Sequence, residues 1–187
     1  MATGRKGWRA RLRAAHALAA AALIAGPFGA RSQQVEQVWQ VNIHGTWLSC
    51  VSFDRRRVLI ELDYGIPDVG YATRLEDGTP LIVINPEVVE SFSPAVAQFW
   101  FVHECGHHIL PPDLNSESAA DCFAIQDMVR NGAARREDLY VFREELGWLP
   151  GSPAGHLPGP QRAAHIIECG HDAIPQTRIA RLDRGRR

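Results

Sequence analysis

Two histidines and a glutamate carry the chemistry this chain offers first. They lie in the order His103-Glu104-Cys105-Gly106-His107, an H-E-x-x-H pattern of the kind that binds zinc on a helix. Helical residues four apart share a face, so His103 and His107 can hold one ion together. Glu104, one position along, can reach a water at that ion without crowding the two imidazoles. A catalytic zinc takes three protein ligands and keeps a fourth position open. The third must come from elsewhere in the chain. Glu117 and Asp121 are again four apart, and a tight helix–loop–helix would swing Glu117 back to the ion, with Asp113 as its rival. Asp121, one turn further, could accept a hydrogen bond from the outer nitrogen of a ligating histidine and so fix its tautomer. One Zn2+ held by His103, His107 and Glu117 would polarise a scissile carbonyl and lower the pKa of its water to about 7. Glu104 would then act as general base and pass the proton to the leaving amine. His108 lies about 100° around the helix from His107 and points away from the ion. His44, among aromatic residues, reads as a packed or surface histidine rather than a ligand.

The positioning elements follow from hydrophobic period and punctuation. Val58, Ile60 and Leu62 alternate with more polar positions, which predicts a strand over 58–64. A loop over 65–70 leads to a second strand over 71–75. The Asp77-Gly78 pair then turns the chain into a third, 81–84. That third strand is continuously apolar and predicts cover on both faces. Ser93 and Pro94 are N-cap and first-turn residues of a helix that carries the motif and stops at Pro111-Pro112. Gly106 inside the helix lowers its propensity by about 1 kcal/mol and predicts close approach by another element. A second helix over 117–129 carries Glu117 and Asp121 and ends at Asn131-Gly132. A third is expected over 136–146, and a last one from 160 to 168, stopped at Gly170. Residues 35–53 fit a helix or a strand. The fold class is therefore α+β: a small three- to four-stranded sheet packed on the motif helix, followed by a mostly helical C-terminal part.

The first thirty or so residues are a different material. Arg5, Lys6, Arg9, Arg11 and Arg13 precede a short apolar run over 17–25 that ends at Gly26-Pro27. This is the pattern of an export signal, too short for the roughly 20 apolar residues that span a bilayer. Cleavage after Ser32 would divide the chain into a signal, 1–32, one metallopeptidase-like domain, 33–175, and a basic tail, 176–187. Those five cations and Arg31 leave with the signal, taking the formal charge from −1 to −7. An acidic body argues against nucleic acid as a partner. Loss of the segment leaves no stable membrane span, so the expected compartment is periplasmic or extracellular. Four cysteines in an exported chain fit two disulfides. Three pairings are open, and the one favoured here joins Cys50 to Cys169 and Cys105 to Cys122.

H-E-x-x-H followed by E-x-x-x-D resembles the gluzincin zinc metallopeptidases. The compact spacing is similar to minigluzincins and to the peptidase domain of the CAAX prenyl protease and heat-shock membrane protease branch. The stretch from His156 through Pro158 to Arg162 and Ile166 is similar to that branch's late His-Pro segment, in which a loop leads into a helix carrying Arg. Here Leu157 separates the His from the Pro, and no Thr precedes it. The resemblance covers roughly 58–168. It implies that His156 and Arg162 join Glu104 in catalysis, by stabilising the transition state or orienting the acid pair. By themselves these two read equally well as a loop histidine and a structural arginine. The resemblance further implies a substrate of extended or unfolded polypeptide, bound by strand addition to the hairpin 71–84. The function expected is an exported zinc endopeptidase. The alternatives are a non-proteolytic zinc-binding envelope chaperone or binding module, and a zinc hydrolase of a non-peptide amide or ester.

Overall fold

The computed structural model describes residues 35–151 and 156–174. The export segment, its cleavage point and the basic tail lie outside the described residues. The architecture is α+β: β1 (Val35–Val38), β2 (Val41–Ile43), β3 (Thr46–Leu48), β4 (Leu59–Asp63), β5 (Gly70–Arg74) and β6 (Pro80–Ile84) precede the helices α1 (Pro86–Val89), α2 (Pro94–Ile109), α3 (Glu117–Asn131), α4 (Leu139–Leu146) and α5 (Gly159–Ala173). Four strands form one mixed sheet in the order β1-β4-β6-β5. β4 and β6 run parallel, while β1 and β5 are antiparallel to their neighbours. β6 is buried at every position, as its unbroken apolar run requires. β5 is a sheet edge, and its hairpin turn is closed by Gly78 at φ +77° and by Asp77 Oδ1 accepting from Thr79 N–H at 2.8 Å.

The stretch 35–53 resolves into strands. β2 and β3 pair around His44 and Gly45, both at positive φ (48° and 82°). A two-residue loop of that kind matches the twist of the strands it joins. The short helix α1 was not anticipated. Asn85 starts it by accepting from the N–H groups of Glu87 and Val88.

α2 is the central element. Val96, Ala97, Phe99, Trp100, Phe101, His103, Glu104, Cys105, Gly106 and His108 are all buried, because β5 and β6 cover one side and α3 and α4 others. A helix apolar nearly all round suits that enclosed position. Gly106 faces α3: a Cβ there would lie 3.0 Å from Phe123 Cδ1 and 3.5 Å from Ala120 Cα. α5 does not stop at Gly170 as expected but runs on to Ala173. Gly170 is a crossing point, where a Cβ would meet Leu139 Cδ2 at 2.7 Å and Ile125 Cγ1 at 3.1 Å.

The two disulfides correct the favoured pairing. Cys50 is joined to Cys105 and Cys122 to Cys169, with Cα atoms 5.7 and 5.2 Å apart. Cys105 lies on the side of α2 that holds the chain after β3, where Phe53 N–H donates to His108 O at 2.9 Å. Cys122 faces α5 instead, 3.4 Å from His165 Nε2. The face of α2 that meets α3 belongs to Gly106, so no bond from Cys105 could cross there. Two disulfides fit an oxidising, extracytoplasmic compartment. Among the described residues no helix is long and apolar enough to cross a membrane.

Candidate metal centre

α2 places His103 and His107 one turn apart, and α3 starts close enough to bring Glu117 between them. The loop that turns the chain back is held by Asn115, whose side-chain nitrogen donates to His107 O at 3.1 Å. Ser116 then caps α3 by accepting from Ala119 N–H at 3.2 Å. As a result His103 Nε2 and His107 Nε2 lie 3.3 Å apart. Glu117 Oε2 is 3.2 Å from the first and 3.4 Å from the second. Ligand bonds of about 2.0–2.1 Å at tetrahedral angles put donor atoms about 3.3–3.4 Å from one another. The three separations agree with that edge length, so the donor set fits one tetrahedral ion.

The outer ring nitrogens are engaged on the far side. His107 Nδ1 donates to Asn115 Oδ1 at 2.8 Å, which leaves the lone pair of the neutral ring on Nε2. His103 Nδ1 is 2.8 Å from Asp121 Oδ1, though out of line for a full hydrogen bond. Asp121 is buried and is gripped by Arg162, whose Nε and Nη2 donate to its two oxygens at 2.9 and 2.7 Å. The guanidinium stacks over Trp100, with Cζ 4.7 Å from the ring centroid. Arg162 therefore reaches His103 through Asp121.

His156 Nε2 is 2.6 Å from Glu117 Oε2, shorter than a tetrahedral edge and typical of a strong hydrogen bond to a charged group. Two overlapping sets could in principle hold an ion, His103-Glu117-His156 and His103-Glu104-His107. The edge lengths favour His103, His107 and Glu117, with His156 bonded to the carboxylate. Glu104 is buried with an oxygen within 4.8 Å of a ring nitrogen of both His103 and His107. A third group, Cys122, His165 and Cys169, has its two sulfurs bonded to each other. His108 turns to the sheet and contacts Leu81 O at 3.0 Å. His44 contacts Phe92 O at 3.0 Å. Asp113 is exposed and makes no ion pair with the histidines among the described residues.

The charges answer to this geometry. Burial acts to raise the Glu117 carboxyl, but hydrogen bonds from His103, His107 and His156 outweigh it and hold the group well below the usual carboxylate range. Burial acts to lower the His103 pKa, and the carboxylates of Asp121 and Glu117 override it, raising it to about 9. For Asp121 burial is likewise overcome, by His103 and Arg162, and the carboxyl is held low. Glu104 is the opposite case: burial dominates and pushes its carboxyl up.

Two hollows meet over these groups. One, about 650 Å³, runs along β5 from Gly70 to Arg74 and takes in His107, Asn115 and Glu117. The other, about 730 Å³, extends toward the end of α4. Pro67, Asp68, Gly70, Glu104 and His156 line both, so the cleft passes across Glu104. Gly70, at φ +157°, lies so close to the β6 backbone that a Cβ would collide with Val83 O. Nothing in the local sequence marks Asn115 as a partner of His107, because its two bonds to that residue depend on the loop's return path. Comparison with family models, with curated proteins and with solved structures finds no match to this chain.

Proposed function

We propose that this protein is an exported zinc-dependent endopeptidase of the minigluzincin type. The observation that carries the reading is the triangle of His103 Nε2, His107 Nε2 and Glu117 Oε2, with sides of 3.2, 3.3 and 3.4 Å, beside a buried glutamate. His103, His107 and Glu117 would hold the zinc. When bound, zinc supplies a Lewis acid that polarises a carbonyl and acidifies water. Glu104 takes a proton from the attacking water and delivers it to the leaving amine. Its raised pKa suits that exchange, because a base works best near the operating pH. Asn115 holds the His107 ring in the tautomer that leaves Nε2 free, and the Asp121 carboxylate beside His103 Nδ1 favours the same tautomer there. Arg162 holds Asp121 in turn, as a positioning residue. His156, at the junction of the two hollows, bonds Glu117 Oε2 through its Nε2 and so orients that carboxylate beside the carbonyl to be attacked.

The edge position of β5 supports an extended polypeptide as substrate, bound by strand addition. Among the described residues no strand pairs with the outer side of β5, and its residues line the same hollow as His107 and Glu117; a cleft that continues past Glu104 in both directions suits cleavage within a chain. The two disulfides fit work outside the cytoplasm. The test is zinc content together with cleavage of an unstructured protein, run beside Glu104→Gln. Cleavage should fall by about 10²–10⁴-fold with zinc content unchanged. Bound zinc with no cleavage would point to a binding module, and cleavage untouched by Glu104→Gln would refute the role of Glu104.

A further inference from the structure

The hollow toward α4 has a composition of its own. Val69, Val88, Phe92, Trp148 and Leu149 form apolar walls, and Trp148 is 70% exposed. Charge there is one-sided. The basic side chains in the lining are Arg162 and His156; Asp121 holds the first through both oxygens, and Glu117 Oε2 lies 2.6 Å from Nε2 of the second. Asp68 and Glu145 also line the hollow. Each bonds to a backbone N–H, Asp68 to Val69 at 2.7 Å and Glu145 to Ser93 at 3.0 Å. Among the described residues neither has a basic side chain within ion-pair distance. The combination is an aliphatic and aromatic channel with two uncompensated carboxylates, about 730 Å³ in volume and opening on Glu104 and His156.

We infer that this cavity is a specificity subsite for a basic side chain, arginine above all, flanking the bond to be cleaved. The long methylene stem lies along Val88, Phe92 and Leu149. The guanidinium meets the Asp68 and Glu145 carboxylates and stacks on the open face of Trp148. An acidic side chain is repelled, and a short apolar one leaves the walls unfilled. That the side chain belongs to a peptide substrate rests on the peptidase reading, whereas the cavity's preference for a cation does not.

The purified protein is titrated with N-acetylarginine amide, with the citrulline analogue, which has the same length and shape but no charge, and with the leucine analogue. Binding is followed by Trp148 fluorescence and by the indole N–H resonances in NMR spectra, with Trp148→Phe as the assignment control. Arginine is expected to bind roughly five- to tenfold more tightly than citrulline at low salt, and the margin should shrink in 0.5 M salt, roughly a 4 Å screening length. The double variant Asp68→Asn, Glu145→Gln keeps both backbone hydrogen bonds and should erase the margin while zinc content stays the same. Equal binding of arginine and citrulline, or tighter binding of leucine, overturns the proposal. Cleavage of a peptide library is read separately. Cleavage with no arginine or lysine enrichment beside the cut bond also overturns it. Arginine binding without any cleavage leaves the cation subsite standing and refutes the peptidase reading instead.

Discussion

Removing the Asp121 carboxylate is the sharpest test of how the centre is held. Asp121 and Arg162 are 2% and 4% exposed and joined by two hydrogen bonds. That is the buried regime, not the surface one in which an ion pair contributes about 0–1 kcal/mol. Asp121→Ala leaves the guanidinium enclosed by Trp100 and without its counter-charge. Breaking a buried pair by deleting one partner costs about 3–5 kcal/mol, which for a domain of this size lowers Tm by roughly 10–15 °C. The same change takes away the acceptor beside His103 Nδ1, and zinc affinity should fall by about 10- to 100-fold. The double variant Asp121→Leu, Arg162→Met removes both charges and should recover most of the stability, yet not the zinc affinity. Stability is read by urea unfolding of the zinc-free protein, and affinity by competition with a chelating dye. A single variant as stable as the parent, or a double variant less stable than either single, would refute the assignment of Arg162 as the counter-charge that keeps Asp121 in place.

Zinc binding should release protons near pH 8, measured as a dependence of the calorimetric heat on buffer ionisation. The main source is His103, whose pKa is raised to about 9; His107 is raised too, because burial is outweighed by its bonds to Glu117 and Asn115, and both rings must be neutral to ligate. Because the folded-state pKa of His103 lies above the ordinary histidine value of about 6.5, its stabilising effect is complete below about pH 6.5 and disappears as pH rises through about 9. The Tm of the zinc-free protein should therefore fall across that window, and a flat profile would contradict the pairing with Asp121 and Glu117. Asn115→Ala should weaken zinc binding by roughly tenfold through loss of the bond to His107 Nδ1, with Glu104 and the rest of the site unchanged; zinc competition checks it. Gly106→Leu should destabilise the fold by about 1–3 kcal/mol through collision with Phe123, and Phe123→Ala should restore part of that loss in urea unfolding.

The sequence by itself determined the local parts. Spacing of four within one helix placed His103 with His107 and Glu117 with Asp121, since helical period alone decides which side chains share a face. Alternation and the Asp77-Gly78 turn likewise marked β4 to β6, and Pro94 and Pro111 bounded α2. Gly106 announced a close neighbour, although only packing identified Phe123. Tertiary structure decided whatever depends on how distant segments cross. The disulfide partners follow from which face of α2 meets α3 and which face of α3 meets α5, and no cysteine count encodes that. Gly170 shows the same limit: as a lone residue it reads as a helix stop, but the approach of Leu139 makes it a crossing point inside α5. The role of Arg162 as the grip on Asp121, the bond from Asn115 to His107 and the joining of two hollows over Glu104 all need the three-dimensional path of the chain. Ligand types are thus a local property of the sequence, whereas their separations of 3.2–3.4 Å are fixed by the packing of α3 against α2.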